Sequence, residues 1–120
     1  MNKSILSLNI DDFNKYLINK YPEIKTLFLS RNNNIISLDL IEIKKEFRNN
    51  GIGTLIMKDL INYADSNMLG IDLLPAMKDD KHGTTSRSRL VKFYKKFGFV
   101  ENSGRNKDFS KRYGGMYRSI

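Results

Sequence analysis

The chain has no cysteine, no tryptophan, one histidine and only two prolines in 120 residues. Without cysteine there is no disulfide framework, thiol nucleophile or zinc–thiolate centre, and His82 alone cannot build a multi-histidine metal site. No catalytic metal is expected. Long apolar runs are also missing: none approaches the roughly 20 residues of a spanning helix. Ser4-Ile5-Leu6-Ser7-Leu8 is too short for a secretory leader and soon meets Asn9, Asp11 and Asp12. A soluble, cytoplasmic protein without membrane contact is the expectation. There is no repeat, linker or low-complexity tract, so residues 1–120 are expected to form one domain that buries roughly two-thirds of its unfolded-chain surface.

Acidic residues are scarce at one end. Residues 1–80 hold 10 Lys/Arg and 11 Asp/Glu, whereas residues 81–120 hold 11 Lys/Arg and 2 Asp/Glu. The C-terminal third therefore carries a net charge of +9, and the rest of the chain −1. Such a field attracts polyanions, either a phosphate-bearing cofactor or nucleic acid, although a basic face also serves solubility alone.

The pattern along the chain alternates short strands and amphipathic helices. Ser4–Leu8 reads as a short strand. A helix capped by Asp11 follows, with Phe13, Tyr16, Leu17 and the stem of Lys20 on one face, and Tyr21-Pro22 ends it. Thr26–Ser30 and Ile35–Ile43 read as an antiparallel pair joined by Asn32-Asn33-Asn34, residues that tolerate positive φ. Simple alternation places Leu38, Leu40 and Glu42 on one face of the second strand, and Ser37, Asp39, Ile41 and Ile43 on the other. Ile52, Leu55, Ile56, Leu60, Tyr63 and Ala64 form a helical stripe, with Lys58, Asp59, Asn62 and Asp65 outward. Asn67–Gly70 ends that helix, and Ile71–Leu74 supplies a parallel strand stopped by Pro75. After a polar loop over 77–86, a helix spans Arg87–Phe97, with Leu90, Tyr94 and Phe97 on one face and Gly98 at its stop. Phe99-Val100 and Gly115–Ser119 read as closing strands around a basic loop, Gly104–Tyr113.

Between the second strand and the second helix stands Arg48-Asn49-Asn50-Gly51-Ile52-Gly53-Thr54. A glycine turn that opens a helix presents unpaired N–H groups and the positive end of the helix dipole, a cradle for phosphate. A P-loop would need four residues between its glycines and then Lys-Ser/Thr, which are lacking. A dinucleotide fingerprint would need a third glycine where Ile56 stands, although Asp72 lies at a plausible distance for a ribose-binding acid.

The pattern Arg-x-x-Gly-x-Gly between strand and helix resembles the pyrophosphate loop of the GNAT superfamily of N-acetyltransferases. Leu90-Val91-Lys92-Phe93-Tyr94-Lys95-Lys96-Phe97-Gly98-Phe99 is similar to that family's later helix and turn, Leu/Phe-Tyr-x-x-x-Gly-Phe, at the expected remove. With Met116-Tyr117-Arg118 as the last strand, the resemblance covers Ile35–Ile120. It implies an α+β, three-layer fold whose mixed, mostly antiparallel sheet is splayed at the cofactor site and flanked by helices.

The resemblance also implies acetyl-CoA as acyl donor, with no metal. The loop amides of Arg48, Asn49, Asn50, Gly51, Ile52, Gly53 and Thr54 would hold its pyrophosphate, and the backbone of Ile41, Glu42 and Ile43 its pantetheine arm. Ser86 replaces the family's frequent asparagine, and Arg87 or Arg89 would reach a CoA phosphate. Tyr94 matches the general acid that serves the departing thiolate, and is equally readable as a core tyrosine. Asp39 and Glu42 are rival bases, each equally readable as a solvated strand carboxylate; His82 is an outsider.

The short N-terminal part has room for one helix before Ile35, where the family commonly builds its acceptor lid from two. An open side suits a lysine or N-terminus of a protein or peptide, or a wall completed by a homodimer. Short members carried by phages and mobile elements, one of which modifies a protein lysine, are loosely similar in brevity and in the strand Leu38-Asp39-Leu40-Ile41-Glu42-Ile43. The alternatives are a polyamine or aminoglycoside acetyltransferase, drawing on Asp79, Asp80 and Asp39 for an acidic pocket, and a non-enzymatic module that binds CoA or nucleic acid.

Overall fold

A computed structural model of the chain describes residues 4–48, 50–75, 87–102 and 115–120. Its N-terminal segment departs from the expected strand. Ile5–Ser7 is a 3-10 turn, with Ser4 Oγ accepting the Leu6 N–H at 3.3 Å. The carbonyls of Leu6 and Leu8 accept bonds from side chains, Asn67 Nδ2 at 2.8 Å and Tyr63 Oη at 2.6 Å. Side-chain donors thus do what a strand ladder would otherwise do.

Helix α1 spans Ile10–Lys20, and its cap is Asn9 rather than Asp11: Asn9 Oδ1 accepts the Asp12 N–H at 2.8 Å. Asp11 and Asp12 fall in the first turn, where the helix dipole favours acids. Phe13 and Leu17 are buried, and Phe13 stacks on Tyr63 with ring centroids 4.0 Å apart. Lys20 and Tyr21 both donate to Asp59 Oδ2, at 2.9 and 2.6 Å, and clamp the two helices together.

Strands β1, Ile24–Asn32, and β2, Ile35–Ile43, form the expected antiparallel hairpin, with Asn33 at φ 55° in its turn. β1 is an edge strand, and Asn14 of α1 covers part of that edge by donating to Leu27 O at 3.0 Å and accepting from Leu29 N at 2.7 Å. Helix α2 spans Ile52–Ser66 and leads into β3, Gly70–Leu73, which pairs parallel to β2. Helix α3 spans Arg87–Lys95; β4 is Val100–Glu101 and β5 is Met116–Arg118. The sheet order is β1-β2-β3-β5-β4, parallel only between β2 and β3.

Two expectations about faces need correction. The register runs Phe28 with Leu40 but Leu29 with Leu38, so Asp39 is an extra residue, a β-bulge, and alternation slips there. Leu38 is buried opposite Leu29, whereas Leu40 and its partner Phe28 are 40% and 58% exposed. In α2 the buried stripe includes Met57, while Leu55 faces out.

Arg118 ties the far side together: its Nη atoms donate to both oxygens of Asp65 at 2.6 and 3.2 Å, and its Nε donates to Phe97 O at 2.9 Å. Helix α2 ends in a 6→1 and a 5→2 bond, Leu69 N–H to Ala64 O and Met68 N–H to Asp65 O, with Met68 at φ 57°. That left-handed position favours glycine.

Met68→Gly should therefore raise stability by about 1 kcal/mol by removing Cβ strain. Gly115→Ala should do the opposite, because a Cβ there would meet Leu73 O at 2.6 Å. Overpacking against backbone costs about 1–3 kcal/mol. Thermal and urea unfolding of both variants measure the two effects, and equal midpoints would contradict this account of the two turns.

Candidate active site

The site is built at the carboxyl ends of the parallel strands. β2 and β3 pair from Ile35–Gly70 to Leu38–Leu73 and no further. β3 then stops at Leu74-Pro75, proline having no N–H to continue a ladder. β2 runs on to Ile43 with β1 as its only strand partner among the described residues. The bulge at Asp39 lies immediately beyond the last pair. Beyond Leu38, no described strand pairs with β2 on its β3 side, and ligands of such sheets sit at this end.

The chain leaves β2 through a 3-10 turn at Lys45–Phe47. Arg48 folds back, and its Nε donates to Ile43 O at 3.0 Å. Gly51 is the N-cap of α2 at φ 81°, ψ 4°, with no side-chain cap. The first helical bond is Leu55 N–H to Gly51 O at 3.2 Å, so the N–H groups of Ile52, Gly53 and Thr54 precede the ladder. A Cβ on Gly51 would touch nothing within 4 Å, so its left-handed φ and not lack of space calls for glycine. A Cβ on Gly53 would meet Phe93 Cζ of α3 at 3.6 Å, ordinary contact. One glycine answers to backbone conformation, and the other sits where α2 and α3 approach each other.

Tyr94 owes its place to the end of α3. Phe99 N–H reaches Tyr94 O at 3.4 Å and Gly98 N–H reaches Lys95 O at 3.1 Å, with Gly98 at φ 90°. These are the two bonds of a Schellman cap, whose accompanying apolar contact is Tyr94 against Phe99, ring centroids 5.7 Å apart. Tyr94 is 7% exposed. Burial pushes its phenol up to about 12.

The other sequence-derived candidates are spread unevenly. Ile41, Glu42 and Ile43 are half-buried along the stretch of β2 that pairs with β1 alone among the described strands, and Asp39 is half-buried at the bulge. Glu42 pairs in register with Thr26, on the face that carries Phe28 and Leu40. Arg89 is exposed on α3. Asn49, Ser86, His82, Asp79 and Asp80 lie outside the described residues, as does the whole basic loop. Asp72 is 0% exposed, which removes it as a ribose-binding acid. Among the described residues no group of three His, Cys, Asp or Glu could hold a metal, and no helix is long and apolar enough to cross a membrane. Sequence reasoning missed the Arg48 bond to the strand end and the buried Ser37–Asp72 pair. An acid inside the apolar run Ile71–Leu74 was a readable signal for the second; nothing in the sequence announced the first.

Tyr94 gives a pH test. Its folded-state phenol ionises above the usual value of 10.0, so its contribution to stability is complete below pH 10 and lost as pH rises towards 12. Tyr21 and Tyr63 are also raised, chiefly by burial, and cancel when wild type is compared with Tyr94→Phe. In denaturant titrations the wild type should lose stability relative to Tyr94→Phe between pH 10 and 12, with a constant difference below pH 10.

A family model described as an acetyltransferase (GNAT) domain matches residues 20–101, more than half of the chain. The crystal structure of the anti-CRISPR protein AcrVA5 is similar at 21% identity and a TM-score of 0.55, over 76% of this chain and 84% of that one. Ard1 from Thermoplasma volcanium is similar at 18% identity and a TM-score of 0.48, over 93% of this chain and 80% of its own. No curated protein matches significantly. With a mixed sheet parting after Leu38 and Leu73, and a glycine-opened helix following the longer strand, the chain belongs to the GNAT family of acetyltransferases.

Proposed function

We propose that this acetyltransferase moves the acetyl group of acetyl-CoA onto an amine of a protein or peptide by direct attack on the thioester. The observation that carries the proposal is the continuity between the stretch of β2 beyond its last pair with β3, Leu40 to Ile43, and the start of α2, which has no side-chain cap. An extended amide-bearing arm pairs with a strand edge, and a diphosphate suits the helix end beside it. Gly51 suits that turn because its φ of 81° is one that residues with a side chain rarely adopt.

In the reaction the neutral amine forms a C–N bond with the thioester carbonyl carbon, the C–S bond breaks, and the amine's proton leaves. Backbone N–H groups at the bulge suit the developing oxyanion. Tyr94 is a phenol held at about 12, well above a typical thiol. It therefore stays protonated at neutral pH and gives the departing thiolate a hydrogen bond; the nitrogen's one proton passes to a carboxylate base and on to solvent, from which the thiolate takes its own. Asp39, at the point where the strands part, is the carboxyl we assign to drawing the amine's proton; Glu42 lies farther along the same edge. Arg48 holds the strand end to the loop through Ile43 O.

A protein acceptor is favoured by the neighbouring surface. Phe28 and Leu40 form a solvent-facing cross-strand pair beside the bulge, an open apolar surface in place of an enclosing wall. A flat apolar surface suits a macromolecule better than a small polyamine.

Calorimetric titration with acetyl-CoA should show saturable binding to wild type and Gly53→Ala, and none to Gly51→Asp, which adds bulk and a like charge at the helix end. With labelled acetyl-CoA, lysine peptides should acquire label faster than spermidine or an aminoglycoside. Tyr94→Phe should keep acetyl-CoA affinity and lower turnover about 10- to 100-fold, and Asp39→Asn should cost more than Glu42→Gln. Faster labelling of the small amines would refute the protein-acceptor reading, and absence of binding would refute the cofactor site.

A further inference from the structure

Asp72 stands between Ile71 and Leu73 in the middle of the sheet and is 0% exposed. A polar group so placed is costly unless it is bonded. Ser37 Oγ donates to Asp72 Oδ1 at 2.5 Å across the β2–β3 boundary, and Ser37 is itself 1% exposed. The place of this bond in the register matters more than its presence. Ser37–Asp72 is the pair just before Leu38–Leu73, the last pair made, and the Asp39 bulge comes next on β2. On the far side Tyr117 of β5 stands opposite Asp72, so the bond lies in a row crossing three central strands.

The surrounding residues cannot fix this register by themselves. No tight turn joins β2 and β3, which are parallel and separated by α2. The flanking pairs, Ile36–Ile71 and Leu38–Leu73, are aliphatic and shape-tolerant. A single buried polar pair among apolar ones is the device that best specifies register. We infer that Ser37 and Asp72 are positioning residues whose cross-strand bond sets the point at which β2 and β3 part, and so the opening into which the acetyl thioester must fit. They act through the backbone of Leu38 and Asp39 and touch no reacting atom. The functional half of this inference rests on the acetyltransferase reading; the register half does not.

Hydrogen exchange by mass spectrometry on the full chain without ligand separates the two. In Ser37→Ala, peptides covering residues 36–40 and 70–74 should exchange about tenfold faster, while α2 and residues 24–30 keep their protection. Asp72→Asn, whose Oδ1 still accepts the serine hydroxyl, should stay within about threefold of wild type. Ser37→Cys, a weak donor of similar size, gives the same readout should the alanine variant fail to fold. In calorimetry, acetyl-CoA should bind Ser37→Ala about tenfold more weakly and Asp72→Asn nearly as well as wild type. Unchanged exchange, or protection lost evenly over the sheet, overturns the register bond. A local exchange change with undiminished acetyl-CoA affinity overturns its functional half. A wild type that shows the local pattern but binds no acetyl-CoA retains the bond and removes the cofactor site.

Discussion

Two parallel strands of unequal length govern this structure. β2 has nine residues and β3 four, and the pairs they make end at Leu38 and Leu73. The excess of β2 leaves backbone groups that must be satisfied by something other than β3. The β1 side of β2 remains laddered to Ile43, while no described strand pairs with the other side beyond Leu38. The loop that opens α2 begins where that strand ends. An extended ligand and a charged ligand terminus thus find complementary features in chain order, without any long side chain having to reach across the site.

The second motif has a physical explanation that is independent of chemistry. Tyr94, four residues before Gly98 and five before Phe99, has the spacing of a Schellman cap. In it the left-handed residue is glycine and the apolar contact joins the third residue from the helix end to the second beyond it. The motif would be retained for helix termination alone, which is why the tyrosine reads equally well as core or as donor. What separates the two roles is the hydroxyl. Its burial raises the phenol to about 12 and keeps its proton in place at neutral pH, a property that a phenylalanine at the same cap would lack.

Much of this was legible in the sequence, and the failures share a cause. Helices α2 and α3, the hairpin and the order of the last strands follow from apolar period and turn residues. The glycine loop and the Tyr-x-x-x-Gly-Phe run identify the family. The Asp39 bulge was not legible, because an inserted ladder residue leaves no mark on composition, and it shifted Leu38, Leu40, Ile41 and Glu42 relative to strict alternation. Ser4–Leu8 read as a strand because its carbonyl partners, Asn67 and Tyr63, are about 60 residues away in sequence. Asn9 and Asp11 are both good caps, and only geometry chooses between them. Leu55 gave way to Met57 because the buried stripe runs Ile56, Met57, Leu60, Tyr63 and Ala64, a helical face that Leu55 only flanks.

The division of labour between the two ends of the sheet follows from these contacts. At the hairpin end, Asn34 O accepts the Gly70 N–H at 2.8 Å, a backbone bond that joins the start of β3 to the hairpin turn. Tyr63, Asn67 and Asp65 of α2 are all engaged by distant parts of the chain. At the opposite end α2 begins without a side-chain cap, at a glycine whose left-handed φ of 81° strains serine or aspartate there. Backbone conformation at this turn thus excludes the residues that would otherwise cap the helix. The helix is anchored firmly at its C-terminal half, while the N–H groups of its first turn are left for a partner other than a capping side chain at position 51.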